Sequence, residues 1–236
     1  MKKRLYLDLE TTGFNSYSNG ITELGAIYVE DDVVVEGFNC FINPYTYNKK
    51  MVVVNEAISF RGVTEADLLG YATSKESFND FIKWLDSICN KFDKKDKIQI
   101  VGYNSDTFDI KFLKDWFKDS GNKYYGSYFS HETIDVFNLV KKHKIKKEFN
   151  LKNDKLSTIA EHYNIEINAH IAMDDIIATY KIHQILSNLF DHNKMIKIKN
   201  KIINNIEISK TEDTYYKNNL NEMLLWVYEL NKTWRG

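Results

Sequence analysis

The segment Leu5–Gly13 constrains the fold of this chain more than any other stretch. Leucines alternate with polar or aromatic residues from Leu5 to Glu10, the period of two that is typical of a strand with one buried face. Asp8 and Glu10 therefore project from the same face of the strand. Adjacent carboxylates repel each other, and a divalent cation such as Mg²⁺ or Mn²⁺ relieves that repulsion. The alternative interpretation is an edge strand with a solvated acidic face.

Composition narrows the functional classes. The chain has 236 residues, of which 43% are hydrophobic, so it can bury a substantial core. Its net charge of −1 excludes an overall basic field, so a nucleic-acid ligand would have to be held locally. Cys40 and Cys89 lack metal-ligand spacing and indicate thiols in a reducing compartment. We find no signal segment and no apolar run of membrane-spanning length, and we expect a soluble cytoplasmic protein with no membrane partner.

The order of elements predicts an α/β fold. Strands are expected at Thr22–Val29 and Val33–Ile42, and they would form an antiparallel meander with the first strand. Thr64 and Thr73 each begin a capping-box spacing, and we expect a helix after each. A strand at Ile98–Tyr103 is predicted to be parallel to the first, because a helix separates them. The helix between them carries an apolar stripe that we interpret as core packing: Phe78, Phe81, Ile82, Leu85, Ile88, Cys89 and Phe92.

Two later segments place acidic residues at helix starts. After the strand at Ile98–Tyr103, Asp109 falls in the first turn of a predicted helix. A further strand edge at Thr133–Val136 is expected to run into a helix that ends at Lys142, and a short helix is expected at Leu156–Tyr163, followed by Asn164 as its C-terminal cap. The last predicted helix begins near Met173, with Asp174 and Asp175 in its first turn and His170 in the preceding loop. We expect it to bury Ile177, Ile182, Ile185 and Leu189. Acidic residues are common at helix N-termini, so capping alone explains each of them.

The segment from Lys141 to Lys155 is strongly basic. It carries seven lysines against Glu148 and Asp154. Such runs are usually solvated loops. A phosphate-contacting role is the alternative if the site lies nearby.

Taken together, three spaced motifs resemble one enzyme family. Leu7–Gly13 is similar to the first motif of the DEDD superfamily of 3′→5′ exonucleases, Asn104 with Phe108-Asp109 to the second, and His170 with Asp175 to the third. The spacing selects Asp175 over Asp174. The histidine identifies the branch that includes the proofreading subunit of bacterial replicative DNA polymerase, ribonuclease T and oligoribonuclease.

The resemblance implies a fold, a cofactor and roles for named residues. The fold would be a ribonuclease H-like mixed central sheet flanked by helices, with a C-terminal helical extension. Two divalent cations, Mg²⁺ or Mn²⁺, would be held by four carboxylates, and a histidine would act as general base. The catalytic set would be Asp8, Glu10, Asp109, His170 and Asp175, of which the four acidic residues bind metal. The residues implied to bind the 3′-terminal nucleotide are Leu9, Thr11, Thr12, Gly13, Phe14, Asn104 and Phe108.

The chain departs from the family pattern in places. Tyr103 stands where the second motif often has histidine, and the interval from Asn104 to Phe108 is one residue longer than in the proofreading subunit. Arg61 stands where that subunit has a substrate-side histidine. These changes affect nucleotide preference and leave the carboxylates intact.

We therefore expect an exonuclease domain at 1–190 and a helical extension at 191–236. The leading prediction is a 3′→5′ exonuclease that takes single-stranded DNA with a free 3′ end and releases nucleoside 5′-monophosphates. An exoribonuclease or oligoribonuclease with the same mechanism is the alternative, and a non-catalytic module that binds nucleic-acid ends is the remote one. Residues 192–210 carry five lysines against Glu207, so the extension would either pack on the domain, guide substrate or bind a protein partner.

Overall fold

The computed structural model describes residues 2–59, 61–143, 145–167 and 171–203. In this part of the chain, six strands form a mixed sheet: β1 (Lys3–Thr11), β2 (Ile21–Glu30), β3 (Val33–Asn43), β4 (Ala72–Thr73), β5 (Gln99–Gly102) and β6 (Ile134–Asp135). The strand order is β4-β3-β2-β1-β5-β6. The meander β1-β2-β3 is antiparallel, whereas β5 is parallel to β1. The predicted mixed α/β sheet is confirmed.

Helices connect the strands and follow the sheet. Their bounds are α1 (Asn55–Ser59), α2 (Glu65–Gly70), α3 (Ser74–Ile88), α4 (Asp109–Asp119), α5 (Tyr125–Tyr128), α6 (Val136–Lys142), α7 (Ile145–Glu148), α8 (Leu156–His162) and α9 (Ala172–Ile203). Both predicted capping boxes are present: Thr64 caps α2 with Asp67, and Thr73 caps α3 with Glu76. Asn164 follows α8 with a φ of 54°, as expected for a C-terminal cap.

The leucine face of β1 forms the core with α3 and α4. Leu5, Leu7 and Leu9 are buried in one cluster with the aromatic residues of both helices. Phe81 of α3 stacks on Trp116 of α4 with ring centroids 5.9 Å apart. This packing fixes the orientation of β1, so its opposite face presents Asp8 and Glu10.

The first part of α9 lies against that opposite face. Tyr6 and His183 bring a hydroxyl and an Nδ1 atom within 2.6 Å of each other, and both residues are buried. Gly25 of β2, the partner of Asp8 in the ladder, has no side chain to separate α9 from the sheet. A Cβ atom at Gly25 would lie 2.8 Å from Ile176 Cδ1 and 3.1 Å from Ala172 Cβ. The glycine therefore permits the close approach of α9.

Two predicted core assignments are wrong. The helix α3 ends at Ile88, Cys89 is extended, and Phe92 lies in a turn with 79% of its surface exposed. The helical spacing of apolar residues extends in sequence to Phe92, but the helix itself ends at Ile88, so Phe92 does not face the core. In α9, Ile177 is 39% exposed and Ile176 is buried instead, because Ile176 is the residue that faces Gly25. Ile182 is buried as predicted, Ile185 is half-buried, and the side chain of Leu189 lies outside the described residues.

The chain divides into two compact units, Met1–His183 and Gln184–Gly236. The predicted boundary at residue 190 falls within α9 and stays a prediction. Most of the predicted extension, residues 204–236, lies outside the described residues. Among the described helices, none is both long and apolar enough to cross a membrane.

Candidate active site

Three carboxylates from two distant parts of the chain meet beside the sheet. Asp8 and Glu10 lie on β1, and Asp175 lies in the first turn of α9. One carboxylate oxygen from each lies within 4.8 Å of the other two. Three hard oxygen donors at this separation could hold a divalent cation. The structure thus brings together three of the four acidic residues that the sequence motifs select.

The electrostatics of this group favour a cation. Burial, together with the charges of Asp109 and Asp175, raises the pKa of Asp8 well above its ordinary value. Burial raises the pKa of Glu10 to about 7, although Arg61 opposes the shift. Carboxylates with raised pKa values are destabilised when ionised, and a bound divalent cation would stabilise the ionised form. The donor set therefore fits the metal that the family resemblance implies.

Asp109, the fourth motif carboxylate, is bound to the backbone of the same strand. It begins α4, is 4% exposed, and its Oδ1 accepts a hydrogen bond from the Leu9 N–H at 3.0 Å. Burial also raises its pKa. Asp109 does not belong to the 4.8 Å group, but its charge is close enough to raise the pKa of Asp8. Its position links the second motif to the first.

Asp135, a residue that sequence reasoning missed, holds the loop before Asp109. Its Oδ1 accepts from the Asn104 N–H at 2.9 Å and from the Phe137 N–H at 3.0 Å, and its Oδ2 accepts from the Asp106 N–H at 3.4 Å. Asn104 is held with a φ of 60°, a conformation that asparagine tolerates better than most residues. Asp135 is thus a positioning residue for the loop that carries Asn104.

Arg61 provides the positive charge beside this site. Its Nε lies 3.4 Å from Glu10 Oε2 and its Nη1 lies 3.8 Å from Glu23 Oε2. Its Nη2 donates to Thr22 Oγ1 at 2.9 Å. Thr22 occupies a β-bulge, where the register of β1 and β2 shifts after the pair of Glu10 and Glu23. Glu23 and the bulge carry no sequence signal that would have identified them.

The turn after β1 is held together by its own residues. Thr11 Oγ1 donates to the Gly13 carbonyl at 2.7 Å, and Thr12 Oγ1 donates to the Val52 carbonyl at 2.7 Å. The Thr12 N–H donates to the Gly20 carbonyl at 2.9 Å. Leu9, Thr11, Thr12 and Gly13 are all buried. These four predicted substrate residues shape the turn, and their role toward a nucleotide stays a prediction.

The other predicted substrate residues are more accessible. Phe14 is 90% exposed, and its ring centroid lies 6.3 Å from that of Phe108 in an edge-to-face arrangement. Asn104 is exposed and Phe108 is half-buried. Phe14 follows the strand of Asp8 and Glu10, and Phe108 precedes Asp109, so both rings lie on the segments that carry the motif carboxylates and could stack on a nucleobase.

The predicted general base, His170, lies outside the described residues. Ile171, the next residue, accepts backbone hydrogen bonds from Asp174 and Asp175 at the start of α9. His183, which no sequence motif selects, is the histidine that contacts β1 through Tyr6. Burial lowers the pKa of His183 to about 4, so it is neutral at physiological pH.

Comparisons with known proteins agree with this geometry. The family model of the RNase T group, described as an exonuclease, matches residues 5–183. The PolC-type DNA polymerase III of Clostridium perfringens is 25% identical over 86% of this chain, which spans only 13% of that protein. The DNA polymerase III subunit epsilon of Aquifex aeolicus is 27% identical over 75% of this chain and 76% of its own length.

Solved structures share the fold. A crystal structure of E. coli exonuclease I in complex with a dT13 oligonucleotide has a TM-score of 0.66 at 18% identity, over 81% of this chain and 43% of that one. A second, zinc-bound form of the E. coli protein with single-stranded DNA has a TM-score of 0.64 at 20% identity, over 84% of this chain and 45% of that one. The family match covers the carboxylates of all three motifs. The chain therefore belongs to the RNase T exonuclease family, a member of the DEDD superfamily of 3′→5′ exonucleases.

Proposed function

We propose that this chain is a metal-dependent 3′→5′ exonuclease that releases nucleoside 5′-monophosphates from single-stranded DNA. The observation that carries the proposal is the meeting of Asp8, Glu10 and Asp175 within 4.8 Å. DNA is favoured over RNA because the similar proteins from C. perfringens and A. aeolicus are DNA polymerase III chains. An exoribonuclease is the alternative, since the same carboxylates would serve either substrate.

The four motif carboxylates would hold two divalent cations, Mg²⁺ or Mn²⁺. Such ions lower the pKa of an attacking water and stabilise the leaving oxygen of a phosphodiester. Asp8 and Glu10 are fixed by the packing of β1, and Asp175 by the contact of α9 with Gly25. Asp109 holds the Leu9 N–H and so fixes the strand between the two β1 ligands. A rigid set of ligands of this kind is what catalysis at a fixed geometry requires.

The 3′-terminal nucleotide would lie between the turn at Phe14 and the loop at Asn104. The exposed ring of Phe14, near the ring of Phe108, would stack on the terminal base. Asn104, held by Asp135, would offer its amide to the sugar or the base. We propose His170 as the general base, by its place in the third motif. In the same way, we propose that residues 1–190 form the exonuclease domain and that residues 191–236 form an extension.

The test compares the wild type with Asp8→Asn, which keeps the side-chain shape and removes the charge. Glu56→Gln serves as the matched control, because Glu56 is an exposed acid on α1. The substrates are 5′-labelled single-stranded DNA, duplex DNA and RNA, each with a free or a phosphorylated 3′ end, in Mg²⁺ and in Mn²⁺.

We expect shortening from free 3′ ends by the wild type and by Glu56→Gln, and none by Asp8→Asn. Mn²⁺ binding, followed by electron paramagnetic resonance, should weaken only in Asp8→Asn. A folded Asp8→Asn protein that digests DNA at the wild-type rate would contradict the proposal. Digestion of RNA but not of DNA would favour the exoribonuclease instead.

A further inference from the structure

A basic surface lies on α6, α7 and the segment that leads to α8. Six of its lysines are exposed: Lys141, Lys142, Lys146, Lys147, Lys152 and Lys155. The whole segment from 141 to 155 contains only two acidic residues, on a chain with a net charge of −1. We call these six lysines the α6–α8 basic surface. Its charge is a local feature and not a property of the whole chain.

The centre of this surface is concave. A cavity of about 460 Å³ is lined by Lys141 from α6 and by Lys146 and Lys147 from α7. Asn150 and Asp154 also line it. Three lysines and one aspartate in this lining leave an excess of two positive charges (three minus one), which an anionic ligand would offset. Lysine binds phosphate as a point charge, without the fixed geometry of an arginine fork.

Direct contacts connect the cavity to the candidate active site. The ammonium of Lys141 lies 4.0 Å from the ring centroid of Phe137. That ring lies 5.7 Å from the ring of Tyr103, whose hydroxyl donates to the Asp154 carbonyl. Tyr103 immediately precedes Asn104, and Asp135 holds the backbone of Asn104 while it caps α6. The basic surface therefore begins beside the loop that carries the second motif.

An aromatic side chain accompanies the lysines. Phe149, immediately after α7, is 48% exposed, and its ring centroid lies 4.2 Å from that of His162. The ring is thus held in place by a neighbour while part of its surface is open to solvent. Lysines interspersed with an exposed aromatic ring are typical of surfaces that bind a single strand, where phosphates meet the charges and a base stacks on the ring.

We infer that the α6–α8 basic surface binds the phosphates of single-stranded DNA upstream of the nucleotide that is cleaved. The strand would leave the active site past Asn104 and Tyr103 and cross the cavity at Lys141, Lys146 and Lys147. This inference rests on the proposed exonuclease function, and it adds a binding surface outside the three motifs.

The test neutralises the three lysines that line the cavity in the variant Lys141→Gln/Lys146→Gln/Lys147→Gln. Removal of one lysine–phosphate interaction should reduce the slope of log K against log salt by roughly 0.7 for single strands, so the slope should fall by about 2 in the triple variant. The matched control is Lys94→Gln/Lys95→Gln/Lys123→Gln. These lysines are exposed, and they lie at the ends of β5 and α4 that are remote from Asn104 and Asp109.

Two substrates separate the inference from the function on which it rests. One is a 20-nucleotide single-stranded DNA, and the other is the p-nitrophenyl ester of thymidine 5′-monophosphate, which has no upstream phosphates. The cavity variant should hydrolyse the ester at the wild-type rate and should show a raised KM and a flatter salt dependence only with the oligonucleotide. The control variant should match the wild type on both.

The outcomes are distinguishable. A wild type that hydrolyses neither substrate would refute the exonuclease proposal. A wild type that hydrolyses both, with an unchanged salt slope in the cavity variant, would refute the binding surface alone. Thermal melts check that the variants fold, and the single substitution Lys147→Gln, expected to reduce the slope by roughly 0.7, tests the surface if the triple variant does not fold.

Discussion

Substitution of Gly25 by alanine tests whether the approach of α9 to the sheet sets the metal site. The new Cβ would lie 2.8 Å from Ile176 Cδ1 and 3.1 Å from Ala172 Cβ. Carbon atoms in ordinary contact are about 3.5–4.0 Å apart. The Ile176 Cδ1 atom ends a side chain that can turn away, but Ala172 Cβ and the Ala172 backbone carbon at 3.3 Å cannot, so the start of α9 would have to move away by about 0.2–0.4 Å. Asp175, next to Ile176, would move with it, away from Asp8 and Glu10.

The expected loss of Mn²⁺ affinity in Gly25→Ala follows from how little a metal site tolerates displacement of its ligands. Ligand distances are held within about 0.2 Å, so a shift of this size at Asp175 should weaken Mn²⁺ binding by up to about tenfold. Misplacement by about 1 Å costs turnover on the order of 10²-fold, so this smaller shift should lower turnover by about fourfold. Overpacking of a core costs about 1–3 kcal/mol of unfolding free energy. Mn²⁺ titration followed by electron paramagnetic resonance, together with thermal melts and DNA digestion, measures all three effects.

Two further variants make the experiment specific. Gly37→Ala is the matched control, because its Cβ would meet Ala26 O at 3.5 Å and Met173 Cε of α9 at 3.6 Å, which are ordinary contacts. Gly25→Ala/Ile176→Val removes the Cδ1 atom that clashes most and should recover part of the Mn²⁺ affinity, relative to Ile176→Val alone. Wild-type Mn²⁺ affinity in Gly25→Ala, or equal loss in Gly37→Ala, would refute the reasoning.

Other predictions concern single residues of the site. His170→Ala should lower turnover by about 10²–10⁴-fold and leave Mn²⁺ affinity unchanged, as expected for loss of a general base; a near-normal rate would assign the proton transfer elsewhere. Burial raises the pKa of Glu10 from about 4.5 to about 7 and also raises the pKa of Asp109. Between about pH 4.5 and pH 7, the folded metal-free protein therefore binds more protons than the unfolded chain. Melts in EDTA should therefore show stability falling as the pH rises from about 4 to about 7, and excess Mg²⁺ should remove the trend. Arg61→Gln should lower the melting temperature in EDTA at pH 8, because Glu10 and Glu23 then oppose each other unscreened; Arg61→Gln/Glu23→Gln should recover it, and failure to recover would contradict the charge argument.

Local patterns predicted the three strands of the meander and the shared face of Asp8 and Glu10. The period of two placed Asp8 and Glu10 on one face because side chains alternate across any strand, whatever packs against it. The capping boxes at Thr64 and Thr73 were equally local, since each needs only four consecutive residues. The parallel pairing of β5 with β1 followed from the intervening helix.

Features that depend on tertiary contacts could not be predicted in this way. Glu23 pairs with Glu10 immediately before a β-bulge, and Arg61 reaches both from a separate loop. A side chain at position 25 is excluded only by the contact of α9 with β2, which the local sequence does not reveal. His183 lies 177 residues from Tyr6 in sequence, so no local signal marks its hydrogen bond.

The contact of Arg61 with Glu23 has a consequence for how cations and substrate bind. Five carboxylates, those of the motifs and Glu23, share the guanidinium of Arg61, so a net charge of −4 (five minus one) remains when all are ionised. The two divalent cations that we propose for this site would neutralise that charge, whereas a single one would leave two negative charges near the place where a phosphodiester anion would bind. Repulsion of the anion by a site that holds one cation would make the binding of the second cation and the binding of the substrate cooperative, because each would favour the other. By the same linkage, single-stranded DNA should raise the affinity of the protein for its second cation.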